Sequence, residues 1–191
     1  VSSPEILHKS DVGGVAFAAR EAEAIRTAVA GMEKKFKDRV VEGYTIHQMV
    51  SYDRALGNEL LLGLRWTPDF GPVVVFGAGG IYTEFLAGVF KTGRDLAVLS
   101  PEIDPVEGIA GVLDRVAVMP LLTGGLRGQK PRIARERIED AVRKALEFAR
   151  EFCPRDVSEL EVNPFVVSGG DLVALDIVVK LSKGAPSLPP P

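Results

Sequence analysis

One segment of the chain combines carboxylate and amide side chains in a pattern suited to a divalent cation. Glu161 and Asn163 stand two positions apart where polar and apolar residues alternate, and Asp176 follows beyond a Gly-Gly pair. Alternation places Glu159, Glu161 and Asn163 on one face of a strand, and a hairpin brings Asp176 alongside. Because amide and carboxylate oxygens suit Mg²⁺ beside nucleotide phosphates, the pattern predicts a magnesium site. The alternative is a solvated hairpin face.

A glycine-rich turn follows a continuously apolar segment. Phe76 is followed by Gly77-Ala78-Gly79-Gly80. Consecutive glycines let backbone N–H groups approach an anion, so Gly79 and Gly80 are candidate phosphate-binding residues. The spacing is neither a Rossmann fingerprint nor a Walker loop, because no Gly-Lys-Ser/Thr follows and no helix is predicted after the turn. The alternative is a tight turn between strands.

Three further side chains are candidates for contact with a phosphorylated ligand. His8 lies in a polar loop beside Lys9. A neutral imidazole can attack phosphorus, and the lysine would offset the phosphate charge. Glu59 stands among leucines and has the chemistry to bond a ribose or an adenine, and Arg127 in a glycine loop is a possible anion contact. The alternatives are an exposed histidine and a surface arginine without a task.

The hydrophobic periodicity predicts the elements that position these residues. Helical spacing predicts helices over Arg20–Lys37, Glu102–Val116 and Pro131–Phe152. The predicted strands are Val12–Ala18, Tyr44–Val50, Leu56–Trp66, Pro72–Phe76 (buried on both faces), Ile81–Val89, Glu159–Val167 and Leu172–Leu181. Met119–Lys130 is predicted to be a loop. Strands in a row with helices unevenly interposed indicate an α+β fold, with a mixed or antiparallel sheet and flanking helices.

The composition restricts the class of protein. The 191 residues carry a formal net charge of −3, with 46% hydrophobic and 26% charged residues. No basic excess points to nucleic acid, and no run of 18 apolar residues points to a membrane. With no signal segment and a single cysteine, we expect a cytoplasmic protein without internal disulfides. The prolines after Lys183 predict a Pro-rich tail over 183–191, behind one domain over 1–182.

Taken in order, these segments resemble the ATP-grasp domain of the ADP-forming (NDP-forming) acyl-CoA synthetases, with succinyl-CoA synthetase β subunits as more distant relatives. The resemblance covers nearly all of residues 1–181. It rests on five stretches: Ser3–Val15 (SPEILHKSDVGGV), Gly57–Gly63 (GNELLLG), Asp69–Ile81 (DFGPVVVFGAGGI) with Glu84, Pro120–Gly128 (PLLTGGLRG) and Glu159–Pro164 (ELEVNP).

The resemblance implies a reaction in which acyl-CoA, ADP and phosphate interconvert with the free acid, CoA and ATP. The phosphoryl group travels on histidine in this family. By resemblance, His8 relays the phosphoryl group to the nucleotide and Glu161 orients a phosphohistidine. Such a transfer needs mainly positioning and charge neutralisation.

The resemblance also implies the cofactors, Mg²⁺ and ATP or ADP, and the residues that hold them. Asn163 and Asp176 match the magnesium ligands. Gln48 and Met49 fall at the hinge that holds adenine, and Glu59 matches a nucleotide-binding glutamate.

The family's site is a clamp of two lobes, and it works with further domains. The N-terminal ATP-grasp lobe, with the first phosphate-binding lysine, is expected before Val1. A CoA-ligase or CoA-binding domain or α subunit, fused or in trans, is the expected partner, so we expect the 191 residues alone to be inactive. Three positions depart from the family pattern: Gln48 replaces a glutamate, Val178 an arginine and Gly88 an aspartate.

Two other functions are compatible with the sequence. One is a non-catalytic, regulatory nucleotide-binding module of a larger fused protein; the altered hinge and the missing lysine lobe favour it, and the metal pair opposes it. The other is a carboxylate–amine ligase of the wider ATP-grasp group, which needs no histidine carrier. The acyl substrate, ATP against GTP, and the oligomeric state stay open at this stage.

Overall fold

The computed structural model describes residues 1–6, 9, 11–80, 83–91, 93–103 and 106–182. The chain divides into two compact units, Val1–Met49 and Val50–Pro191. His8, the predicted relay residue, lies outside the described residues, as does the segment 183–191, so the expected tail stays a prediction.

The first unit is built around one helix. Helix α1 spans Ala22–Lys35, with Glu23 in its first turn and two lysines in its last, as the helix dipole favours. This confirms the helix predicted from Arg20 onward. The small core beside it contains Val1, Ile6 and Phe36.

The prediction of two strands near this end of the chain, at Val12–Ala18 and Tyr44–Val50, is wrong. Neither segment forms a strand in the structure, and the ladder contact described in this unit is a single bridge between Ser2 and Gly43. Phe17 is 84% exposed. A strand is stable when a neighbour pairs with it and one face is buried, and neither condition holds here.

The second unit contains a six-stranded antiparallel sheet. Its strands are β1 (Glu59–Thr67), β2 (Gly71–Ala78), β3 (Leu96–Leu99), β4 (Val157–Ser168), β5 (Asp171–Ala174) and β6 (Ile177–Leu181). The order is β3-β2-β1-β4-β5, and β6 pairs with the first half of β4. With helices flanking this sheet, the predicted α+β class is confirmed.

One face of the sheet forms the core. Leu60, Leu62 and Leu64 of β1 are buried, as are Val74 and Phe76 of β2. The intervening β2 side chains are only half-buried. The prediction that this strand is buried on both faces is therefore wrong for most of its length, because the other face of the sheet stays open.

The helices of this unit are α2 (Thr83–Val89), α3 (Ile109–Leu113, after a 3-10 turn at Val106–Gly108), α4 (Met119–Thr123) and α5 (Arg135–Phe152). Helix α5 confirms the strongest helix prediction. Ile138, Val142, Leu146 and Ala149 are buried in one helical stripe, and the helix contacts β1, β2 and β5. Pro154 cannot extend the helix because it lacks an N–H.

Several short elements differ from the prediction. The segment predicted as the strand Ile81–Val89 contains helix α2, and strand β3 was not predicted. Short apolar runs are compatible with either structure, and distant neighbours decide between them. The predicted loop 119–130 begins with α4, and the predicted helix 102–116 reduces to α3 and its 3-10 turn.

The last hairpin forms as predicted, but its second strand is interrupted. Ser168 pairs with Asp171 across Gly169 and Gly170, whose φ angles of 60° and 84° suit a tight hairpin turn. The strand expected over 172–181 breaks between β5 and β6, and Asp176 lies in this break. None of the helices described here has the length and apolarity needed to cross a bilayer.

Candidate functional site

Strand β4 carries the side chains predicted to hold a cation. The Nδ2 of Asn163 donates to Oε1 of Glu161 at 3.3 Å, so the two side chains share one face. The backbone N–H of Asn163 donates to the carbonyl of Asp176 at 3.1 Å. Val162, the residue before Asn163, pairs with Ile177, the residue after Asp176. Asn163 and Asp176 therefore stand directly opposite each other. Opposite residues of an antiparallel pair project to the same face.

The glycine turn is bonded to this strand. The N–H of Gly80 donates to Oδ1 of Asn163 at 2.9 Å, across the end of β1. The N–H of Gly79 donates to the carbonyl of Glu59 at 2.9 Å and so prolongs the β1–β2 ladder. Both N–H groups therefore have partners within the chain. An amide oxygen has two lone pairs, so Oδ1 of Asn163 retains one further acceptor position.

The Glu59 carboxylate lies against the same turn. Gly80 has a φ of +67°, and a Cβ built on it would lie 2.7 Å from Cδ of Glu59. A glycine is required here both for the left-handed backbone and for the close carboxylate. Tyr52 donates its hydroxyl to Oε1 of Glu59 at 2.7 Å. This bond to the carboxylate, together with burial, raises the pKa of Tyr52, so the phenol keeps its proton and remains a donor.

Together these residues form a contact series, which we define as Tyr52, Glu59, Gly80, Asn163 and Glu161. Each member touches the next through a hydrogen bond or through the approach of the Glu59 carboxylate to Gly80. The structure thus brings together four residues that the sequence singled out. The fifth, Tyr52, was missed because a lone tyrosine in a loop carries no motif.

The other predicted residues lie outside this series. Gln48 and Met49 are exposed, and they end the first unit without belonging to a strand or helix. Arg127 is exposed in its loop. At position 79 a glycine is required by packing, since an added Cβ would lie 2.6 Å from the backbone N of Leu61.

The candidate ligand oxygens suit Mg²⁺ better than a cation that is coordinated by protein groups alone. Within the part of the chain that the structure describes, no three Asp, Glu, His or Cys side chains gather closely enough to hold a metal. The two predicted ligands are the amide oxygen of Asn163 and the exposed carboxylate of Asp176. Mg²⁺ keeps several waters and takes phosphate oxygens beside one or two protein ligands, so this small set suits it.

A groove lies on the open face of the sheet. It has a volume of about 630 Å³ and is lined by residues that include Leu61, Gly63, Val75 and Glu161. A Cβ on Gly63 would lie 2.7 Å from Cγ2 of Val75, so the glycine allows this apolar floor to pack closely. An apolar floor with a carboxylate on its lining is typical of small-molecule sites of this size.

Sequence comparisons agree with the resemblance. A family model described as an ATP-grasp domain matches residues 1–181. The beta subunit of the ADP-forming acetate–CoA ligase I of Pyrococcus furiosus is 31% identical over 182 residues, which cover 92% of this chain and 71% of the relative. The ADP-forming 4-hydroxybutyrate–CoA ligase of Nitrosopumilus maritimus is 32% identical over 171 residues, which cover 87% of this chain but 22% of that protein.

Solved structures show the same fold. The dinucleotide-forming acetyl-coenzyme A synthetase 1 of Ca. Korarchaeum cryptofilum, in complex with coenzyme A and Mg-AMPPCP, gives a TM-score of 0.67 at 28% identity, covering 95% of this chain and 74% of that one. Its coenzyme A complex gives 0.69 at 29% identity, with coverages of 94% and 73%. The chain therefore belongs to the ATP-grasp family, and its relatives include ADP-forming acyl-CoA ligases.

Proposed function

We propose that this chain supplies the nucleotide- and magnesium-binding part of an ADP-forming acyl-CoA ligase. The enzyme would interconvert acyl-CoA, ADP and phosphate with the free acid, CoA and ATP. The relatives, which are ADP-forming CoA ligases, support the reaction class. The observation that carries the proposal is the 2.9 Å bond from Gly80 N–H to Asn163 Oδ1, because it joins the glycine turn to the candidate cation ligand.

Asn163 and Asp176 would hold the magnesium ion, which supplies positive charge against the nucleotide's polyphosphate when bound. Asn163 would use the lone pair of Oδ1 that Gly80 does not occupy. A magnesium ion bound to this oxygen would hold the nucleotide's phosphates near the glycine turn. Gly80 would border them, while Gly79 keeps its N–H in the β1–β2 ladder.

For the chemical step, we assign His8 as the relay residue and Glu161 as the residue that orients it when phosphorylated. The N–P bond of phosphohistidine breaks as a β-phosphate oxygen of ADP forms the new O–P bond, which leaves ATP and a free imidazole. Asn163 Nδ2 holds one oxygen of Glu161, so the carboxylate is oriented to accept an imidazole N–H. His8 enters this assignment on the sequence alone.

The nucleoside would be held by Glu59 and by the hinge residues Gln48 and Met49, whose side chains are exposed. The Pyrococcus relative is the beta subunit of its enzyme. By analogy, we propose that a CoA-binding domain or α subunit, fused or separate, completes the active enzyme here. The cytoplasmic location stays a prediction.

Isothermal titration of Mg-ADP into the complete enzyme tests the cation site. We expect Asp176→Asn to weaken Mg-ADP binding about tenfold or more, because it removes a charged ligand. Asp171→Asn is the matched control: Asp171 lies in the same hairpin but is ion-paired with Arg137 at the surface. Unchanged affinity in Asp176→Asn would exclude Asp176 as a ligand.

Phosphoryl trapping separates this function from its alternatives. Complete enzyme incubated with γ-labelled ATP is expected to form acid-labile phosphohistidine, and His8→Ala is expected to abolish net transfer from ATP. Undiminished transfer in His8→Ala would remove His8 from the mechanism. A regulatory module or a carboxylate–amine ligase would form no phosphohistidine. The relatives are CoA ligases and do not favour the regulatory module.

A further inference from the structure

We propose that Tyr52 is a positioning residue that prepares Glu59 for the nucleoside. The inference rests on the proposed function, since it assigns a task to the nucleotide-binding glutamate. Its first support is the 2.7 Å hydrogen bond from the Tyr52 hydroxyl to Oε1 of Glu59.

The second support is the anchoring of the backbone on both sides of Tyr52. Ser168 donates its hydroxyl to the carbonyl of Ser51 at 2.7 Å, and Nδ2 of Asn58 donates to the carbonyl of Asp53 at 2.5 Å. Asn58 is itself only 2% exposed and also bonds the carbonyl of Val167. The loop that carries Tyr52 is thus tied to the end of β4, the strand that carries the candidate cation ligand.

The third support is the orientation of the tyrosine ring. The Arg54 guanidinium stands 6.0 Å from the centroid of the Tyr52 ring, within cation–π range. The anchored carbonyls on both sides of Tyr52 and the arginine beside its ring favour the orientation in which the hydroxyl reaches Glu59.

These contacts define what Tyr52 does to the carboxylate. Oε1 of Glu59 is bonded to Tyr52, and the other side of the carboxylate is packed against Gly80. A glutamate held in this way does not have to be ordered when a ligand binds, and ordering a flexible side chain weakens binding several-fold. A carboxylate has about four lone-pair positions, so Glu59 is able to accept hydrogen bonds from more than one donor, including donor groups of a nucleoside.

Tyr52→Phe in the complete enzyme tests the proposal, because it removes only the hydroxyl. We expect the Kd for Mg-ADP by calorimetry, and the KM for ADP, to rise about three- to tenfold while kcat stays within about twofold. A merely structural role would lower kcat and the unfolding temperature instead. Tyr44→Phe, in the other unit, removes the same hydroxyl and is expected to leave Kd and KM unchanged.

A double-mutant cycle shows whether Tyr52 acts through Glu59. In a Glu59→Ala background, Tyr52→Phe is expected to weaken Mg-ADP binding no further. Ser168→Ala, which frees the carbonyl of Ser51, is expected to raise KM in the same direction by a smaller factor.

Three results would overturn the inference. Unchanged affinity in Tyr52→Phe, or an equal loss in the Glu59→Ala background, would overturn it while leaving the proposed function intact. Absence of Mg-ADP binding by the unmodified enzyme would overturn the proposed function, and this inference with it.

Discussion

At the scale of single residues, two adjacent glycines are required for different reasons. Gly80 has a left-handed backbone and lies against a side chain, the Glu59 carboxylate. We expect Gly80→Ala to lower the free energy of unfolding by about 1–2 kcal/mol through backbone strain. It should also weaken Mg-ADP binding about tenfold, since the methyl group displaces Glu59. Urea unfolding and calorimetry measure the two effects separately.

Gly79→Ala provides the contrast. Its Cβ would meet the backbone of β1, at 2.6 Å from the N of Leu61, and a backbone cannot move aside as a side chain can. We expect a loss of about 2–3 kcal/mol in unfolding free energy. A Gly79→Ala protein as stable as the wild type would show that this close approach is wrong.

Cys153 is a half-buried thiol whose reactivity depends on pH. Burial raises its pKa above the ordinary value of 9.0, so the thiol is protonated at neutral pH. We expect iodoacetamide to label it more slowly in the native chain than in urea, because the thiolate is the reactive form. The native rate should continue to rise beyond pH 9, where the unfolded thiol is already half ionised. Mass spectrometry of timed samples measures both rates.

The sign of the linked stability follows from the same shift. The folded chain binds the Cys153 proton more tightly than the unfolded chain does. The stability that the folded chain gains from this proton is therefore complete below about pH 9 and is lost as the pH rises through the native pKa. Equal labelling of native and denatured chains would contradict the burial of this thiol.

At the scale of secondary structure, β4 organises the candidate site. Its middle carries Glu161 and Asn163, and its end, at Val167 and Ser168, anchors the loop that holds Tyr52. One strand therefore positions both ends of the contact series. The groove on the open sheet face is lined by Glu161 of this strand.

The start of helix α5 is fastened to α3 by one arginine. Arg135 donates to Asp114 and Glu139 at 2.6 Å each, and to the carbonyl of Ala110 at 2.8 Å. The bonds to Asp114 and Glu139 also raise the pKa of the Arg135 guanidinium. We expect Arg135→Ala to lower the unfolding free energy by about 1–2 kcal/mol, because two of the three bonds connect α5 to α3 or to Asp114, the residue that follows α3. Urea unfolding at neutral pH measures the change.

Arg143→Ala is the control for this prediction. Arg143 stands on the same helix and pairs with Asp140 and Glu147, but both partners belong to α5 itself. Pairs of this kind on one helix contribute about 0.5 kcal/mol or less. Equal losses in the two variants would show that Arg135 does not fasten α5 to α3.

At the scale of the whole molecule, the two units differ in what they bury. The larger apolar cluster, from Leu60 to Val167, lies entirely in the second unit with all six strands. In the described part of the first unit, the buried cluster has three residues, and none of the residues of α1 is buried. We expect residues 50–182 expressed alone to unfold cooperatively in urea, with a midpoint close to that of the whole chain.

Residues 1–49 alone are expected to show no cooperative transition, because so small a core cannot offset the conformational entropy of the chain. Circular dichroism during urea titration measures both fragments. A broad, non-cooperative transition in residues 50–182 would mean that the second unit depends on the first.

The elements whose signals are local could be predicted from the amino-acid sequence. Helix α5, strand β1 and the Gly169–Gly170 turn follow from the spacing of apolar residues and from turn chemistry. Long strings such as DFGPVVVFGAGG also determined the family, because many residues must agree at once. Asn163 and Asp176 were predicted as neighbours from the hairpin alone, and their backbones pair in the structure.

Other features depend on contacts with residues outside the local segment and emerged with the three-dimensional fold. A short apolar run such as residues 83–89 is compatible with a strand or a helix, and its neighbours select the helix. Glu59 of β1 is approached by Gly80, in the turn after β2, and is bonded to Tyr52, in the loop before β1. No local pattern encodes such contacts, because they depend on how a loop and a turn fold against the strand.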